Sequence, residues 1–210
     1  MPNRSTVLWM FSTAMFCLAS CSTASPNVTA ASDNYTLDYE TLLNPVLQGE
    51  IEGIDAELRV RHGMTAEQVA VGVLDLKTLR LAMIHPDRGE YAASVPKIGI
   101  LLAWLLRYFL LLEQGKLISP QASKAVREVL ESPDIPHDRI KFVEALSDRG
   151  VQIVRKWGSR EDWRHDAAVI IGSRRHYILV ALTHHPKGDA YLVDLAKSVD
   201  DLMAGVAAKK

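Results

Sequence analysis

The chain has 210 residues, of which 24 are basic and 25 acidic, for a formal net charge of -1, and 48% are hydrophobic. That is enough apolar material for one globular domain with its own core, and it excludes a disordered or low-complexity chain. The near-neutral balance supplies no field for a polyanion, so no nucleic-acid partner is expected.

Arg4 is followed by an apolar stretch over residues 7–19 and then by Leu18-Ala19-Ser20-Cys21. A basic start, a short apolar core and small residues before a cleavage point predict an export signal, too short for a membrane span. The leucine-small-small-cysteine ending resembles a bacterial lipoprotein signal. That resemblance implies removal of residues 1–20, lipid on Cys21, membrane contact through the lipid alone, and a place in the bacterial cell envelope facing the periplasm. An ordinary cleaved signal and an N-terminal anchor are the alternatives. Cys17 lies inside the leader, so Cys21 would be the only remaining cysteine and no internal disulfide could form.

Residues 21–41, rich in Ser, Thr, Ala and Asn near their start, read as a flexible tether, and residues 42–207 as the domain. Leu43, Val46, Leu47, Ile51, Ile54 and Leu58 recur at three- and four-residue steps, which predicts a helix over 42–62 ended near Gly63. Residues 69–76 and 81–85 are β-rich around Lys77-Thr78 and predict a hairpin. Residues 98–112 are apolar or aromatic apart from Arg107 and predict a helix buried on all sides. Ser119 as N-cap and Pro120 at the first helical position open a second helix, and residues 138–146 suggest a third. Strand-like runs follow at 151–156, 167–171 and 177–183, and helical spacing returns over 190–207. The expected fold is α+β: a five-stranded antiparallel sheet with N- and C-terminal helices packed on it, and a short helical region between strands 2 and 3.

Ser94-Val95-Pro96-Lys97 opens the apolar run. At helical spacing positions i and i+3 share a face, which sets a hydroxyl beside an amine. Serine needs such a neighbour to take its proton, and lysine can serve where burial depresses its pKa. Read as structure alone, the same four residues are ordinary helix surface.

The segment Tyr91-Ala-Ala-Ser-Val-Pro-Lys-Ile98 resembles the active-site segment of class A β-lactamases and their penicillin-binding relatives. Val71-Gly-Val-Leu-Asp-Leu-Lys-Thr78 is similar to that family's first strand and turn, with Leu79 where the family has glycine. Val151-Gln-Ile-Val-Arg-Lys156-Trp-Gly-Ser159 resembles the strand bearing its Lys-Thr/Ser-Gly triplet, and residues 166–170, 177–182 and 194–203 resemble its last two strands and closing helix. The resemblance implies a serine hydrolase acylated by β-lactam amides or peptidoglycan stem peptides. Ser94 would be the nucleophile and Lys97 its base, with Lys156, Gly158 and Ser159 forming the oxyanion and substrate-carboxylate side. No cofactor and no metal are implied, and the oligomeric state is left open.

Two further features depart from the family pattern. Lys156 follows Ser94 by only 62 positions, and the interval holds neither the family's Ser-Asp-Asn loop nor its water-activating glutamate. Ser32-Asp33-Asn34 and Glu40 imitate these from the wrong side of the nucleophile. The juxtaposition of Trp104 and Phe109-Leu-Leu-Leu-Glu-Gln-Gly is what loss of a helical domain near residues 104–107 would produce. Trp157 stands where the family has a hydroxyl. The second functional expectation is therefore a catalytically impaired penicillin-binding or envelope lipoprotein that retains the sheet domain. Among other polar groups, His184-His185 read as solvated loop histidines, residues 160–165 as a solvated turn, and Arg174-Arg175 as a hairpin tip.

Overall fold

A computed structural model describes residues 32–38, 40–90, 100–131 and 140–206. Helix α1 (Pro45–His62) starts where the Asn44 side chain accepts from Leu47 N–H and stops at Gly63, whose φ of 70° is the left-handed cap. The start lies three residues later than the periodicity predicts because Asn44 and Pro45 together fix it. Strands β1 (Val69–Asp75) and β2 (Arg80–Ile84) form the expected hairpin. Asp75 organises its turn by accepting from the Lys77 N–H at 3.0 Å and from the Thr78 hydroxyl. Leu79 in that turn has φ 57°, a left-handed backbone that glycine adopts without steric penalty.

Two short strands, β3 (Gly89–Glu90) and β4 (Ile100–Leu101), pair antiparallel. Helix α2 (Leu102–Glu113) follows, then α3 (Pro120–Glu131), α4 (Lys141–Leu146), β5 (Gln152–Arg160), β6 (Trp163–Ile171), β7 (His176–His184) and α5 (Gly188–Ala204). The main sheet has the order β2-β1-β7-β6-β5 and is antiparallel at every pairing. The α+β expectation is met.

Period-two alternation divides the central strands between two cores. Val69, Val71 and Val73 of β1 and Tyr177, Leu179 and Ala181 of β7 pack with α1 and α5. Ala70 and Leu74, with Ile178, Val180 and Leu182, pack on the other face with Leu102, Leu106 and Phe109 of α2. Helix α2 comes close because Gly72 has no side chain: a Cβ there would lie 2.5 Å from Leu106 Cδ1.

Buried charges lock the layers. Asp200 on α5, 1% exposed, accepts from Arg175, from Arg149 at 3.1 Å and from the Tyr177 hydroxyl at 3.0 Å. Asp55 on α1 accepts from the Tyr191 hydroxyl of α5 at 2.7 Å and from Arg59 at 2.8 Å. Glu113 at the end of α2 meets His176 of β7 at 2.9 Å and also pairs with Arg127 of α3.

Several sequence expectations change. The helix predicted from residue 98 begins at Leu102, because Ile100 and Leu101 direct their backbone to β3 instead. It is not buried all round: Trp104 is 62% exposed, and Arg107 and Tyr108 are exposed with it, since α3 covers only part of its outer side. The expected tether is packed over part of its described length. Leu37 is buried, and the Gln114 amide donates to the carbonyls of Ser32 and Tyr35. Strands β5 and β6 extend to residues 160 and 163, so the solvated turn expected over 160–165 shrinks to Glu161-Asp162. Arg175, placed at a hairpin tip, turns inward to Asp200.

Two stability outcomes follow from these contacts. Asp200→Ala leaves two guanidinium groups and a phenol around an empty acceptor and should lower unfolding free energy by about 3–5 kcal/mol in urea titrations. Leu79→Gly should raise it by about 0.5–1 kcal/mol, because the left-handed steric penalty exceeds the entropy that glycine adds to the unfolded chain. A destabilised Leu79→Gly chain would show that the leucine side chain's packing outweighs its backbone strain.

Candidate active site

Of the residues expected to carry chemistry, Ser94, Lys97 and Cys21 lie outside the described residues. Lys156, Gly158 and Ser159 lie together on β5, the edge strand of the sheet. Their strand continues through the triplet because each residue pairs with β6: Lys156 with Ala167, Gly158 with His165 and Ser159 with Arg164. Alternation puts Val154, Lys156 and Gly158 toward the α2 side, and Ile153, Arg155, Trp157 and Ser159 toward the α4 and α5 side. Lys156 is exposed, with its Nζ donating to the Trp157 carbonyl at 3.1 Å. It is a hydrated point charge at the strand edge, suited to a carboxylate.

The opposite face of the same strand holds a polar cluster that sequence reading missed. Lys141, with 1% exposure, reaches from the start of α4 under β5. Its Nζ lies 2.7 Å from Ser159 Oγ, 3.1 Å from the Gly158 carbonyl oxygen and 3.4 Å from that of His165. The Trp157 ring sits 4.5 Å from the same ammonium, within cation–π range. Trp157 thus fills its position as a partner for a buried cation rather than as a hydroxyl donor.

Asp166 on β6 completes the cluster. Fully buried, it accepts from the Phe142 N–H at 3.1 Å and the Ala167 N–H at 3.0 Å, and faces Arg155 at 3.3 Å. Its bond to Phe142 satisfies a donor in the first turn of α4 and fixes Lys141 just before it. Burial raises the Asp166 carboxyl to about 6 against the opposing pull of Arg155. Burial likewise pushes the Lys141 ammonium down to about 8, opposed by Asp166 and Asp189 and reinforced by Arg155 and Arg164. One sequence signal for this cluster existed: Asp166 heads an otherwise apolar strand run, and a charge there needs a buried partner.

Residues 105–208 match the family model described as the Beta-lactamase enzyme family. Among solved structures, the fold is similar to a β-lactamase from Burkholderia phymatum, with TM-score 0.59 and 9% identity over 74% of this chain and 99% of that one. It is also similar to a β-lactamase from Sphaerobacter thermophilus, with TM-score 0.56 and 9% identity over 76% and 98%. A third likeness is to PBP-A, solved as an acyl-enzyme complex with penicillin G, with TM-score 0.58 and 9% identity over 74% and 96%. No curated protein matches the chain.

The lowered Lys141 pKa sets a pH dependence. Between about 8 and 10.5 the unfolded chain keeps a proton that the folded chain has released, so this group's contribution raises stability as pH rises through that window. Below it both states are charged, and the full penalty of burying the ammonium remains. Urea unfolding of the parent and of Lys141→Met at pH 7.5, 9 and 10.5 should show the difference shifting toward the parent with pH. A constant difference would mean that Lys141 titrates normally in the fold.

Proposed function

We propose that this chain, β-lactamase-like in family and fold, is an exported, lipid-anchored serine hydrolase acylated by β-lactam amides through Ser94. Serine β-lactamase-like chemistry is what the family match and the fold support. The observation that carries the substrate side is the run Lys156-Trp157-Gly158-Ser159 on the edge strand of a β-lactamase-type sheet. In this reading Ser94 Oγ attacks the lactam carbonyl carbon, Lys97 takes the serine proton and relays it to the lactam nitrogen, and the C–N bond opens to leave an acyl-serine and a ring-opened amine. Backbone N–H groups of Ser94 and Ser159 stabilise the oxyanion, and Lys156 receives the substrate carboxylate. Cys21 carries the lipid that holds the domain at the envelope membrane.

Without the family's glutamate to activate water, the acyl group persists. This favours a penicillin binder over a fast lactamase. The second reading, an envelope lipoprotein with impaired catalysis, draws on Trp157: its indole takes the place of a hydroxyl and is engaged beneath Lys141.

Incubation of the full chain with a fluorescent penicillin, followed by a denaturing gel, separates the two. The expected result is a covalent band that lasts for hours and vanishes in Ser94→Ala. Lys156→Ala should slow labelling about 10- to 100-fold through loss of a charged contact. A folded parent that takes no label would overturn acylation and leave the impaired-lipoprotein reading.

A further inference from the structure

Lys141 has no part in the Ser94 scheme, yet it is the buried lysine among the described residues. Its three oxygen neighbours are not equivalent. The carbonyls of Gly158 and His165 can only accept, whereas the Ser159 hydroxyl can accept or donate. A charged lysine donates one N–H to each. A neutral lysine donates its two N–H groups to the two carbonyls and turns its lone pair to the Ser159 hydroxyl. Both protonation states are satisfied without moving a heavy atom, and Ser159 is the partner that changes role. Ser159 is an exposed residue while Lys141 behind it is buried.

We propose that Ser159 and Lys141 form a second serine–lysine pair, with Ser159 the nucleophile and Lys141 its base toward activated carboxylic esters. The 2.7 Å separation is that of a nucleophile and its base, and the two carbonyls orient the amine as a third group must. Lys141 has a left-handed backbone, φ 53°, sparsely populated by non-glycine residues and held here by the contacts around it. The groups around Nζ are Asp166 and Arg164 from β6, Asp189 from α5 at 3.7 Å, and Arg155 with the Trp157 ring from β5. With burial dominant, about one-tenth of Lys141 is neutral at pH 7 and about nine-tenths at pH 9.

In the reaction, Ser159 Oγ bonds to the carbonyl carbon of an aryl ester and its proton passes to Lys141 Nζ. The bond from that carbon to the aryl oxygen then breaks, and its electron pair leaves on the phenolate. An aryl group departs without being protonated, so the step needs no general acid. The products are acyl-Ser159 and phenolate.

The pair does not depend on Ser94, and the test separates them. Full-length Ser94→Ala protein is treated with p-nitrophenyl acetate from pH 6 to 10, and acetyl groups are mapped by tandem mass spectrometry. Acetylation of Ser159 should rise about tenfold from pH 7 to pH 9, level off above it, and disappear when Ser159→Ala or Lys141→Arg is added. Arginine keeps the charge and cannot act as the base, and circular dichroism checks its fold; if that variant fails to fold, the plateau in the Ser94→Ala chain still decides. No acetyl on Ser159, equal labelling with Lys141→Arg, or a rate that keeps rising tenfold per pH unit beyond pH 9 would overturn the pair. Penicillin labelling of Ser94 can succeed or fail independently of all three.

Discussion

A sheet whose central strands are apolar on both faces has to be covered twice, and this requirement shapes the rest of the chain. Helices α1, α4 and α5 cover one face, and α2 with α3 covers the other. The second cover is thin. It succeeds because Gly72 lets Leu106 approach the backbone of β1, and because Glu113 ties α2 to both β7 and α3. Residues 32–37 add to this cover through the two carbonyls that Gln114 holds. The outer side of α2 stays open to solvent from Trp104 to Tyr108. The short helical segment between β2 and β5 is therefore compatible with a closed core, though not with a fully enclosed helix.

Much of the architecture was legible because it rests on local rules. Period-two runs bounded by turn residues gave the strands, and Asn44, Gly63, Ser119 and Pro120 mark helix ends by chemistry confined to one turn. Strand β5 past Lys156 was not legible from propensity, since Gly158, Ser159 and Arg160 have little β preference of their own, and only the family resemblance carried it to Ser159. Pairing with β6 holds them extended, and pairing is a long-range fact. The same reason hides Lys141. Its oxygen partners lie 17 and more residues away in sequence, and only the assembled hairpin brings them under one amine.

The candidate site was legible as letters but not as an arrangement. Lys156 reads as the expected substrate cation, and its exposure at the sheet edge suits that role. Trp157 reads as a departure from the pattern that the resemblance implies, which has a hydroxyl at this position. In the fold it lies on the face away from Lys156, and its ring meets a buried ammonium. The indole therefore bears on what lies behind the strand more than on what lies in front of it.

Two lysines consequently flank one strand in opposite states of solvation. Lys156 lies exposed at the strand edge, while Lys141 is stripped of water and held by carbonyls and an indole face. Burial alone would favour a neutral amine, and Asp166 opposes it by supplying negative charge from the adjacent strand. Asp166 is itself destabilised as an anion by burial, and Arg155 opposes that in turn. The cluster is a chain of compensations in which each buried charge is offset by opposite charge or hydrogen bonds from a neighbouring strand or helix. Through Lys141 the network holds the 158–159 edge by the Gly158 carbonyl and the Ser159 hydroxyl. Any chemistry at Ser159, through its backbone N–H or its hydroxyl, begins from that fixed position.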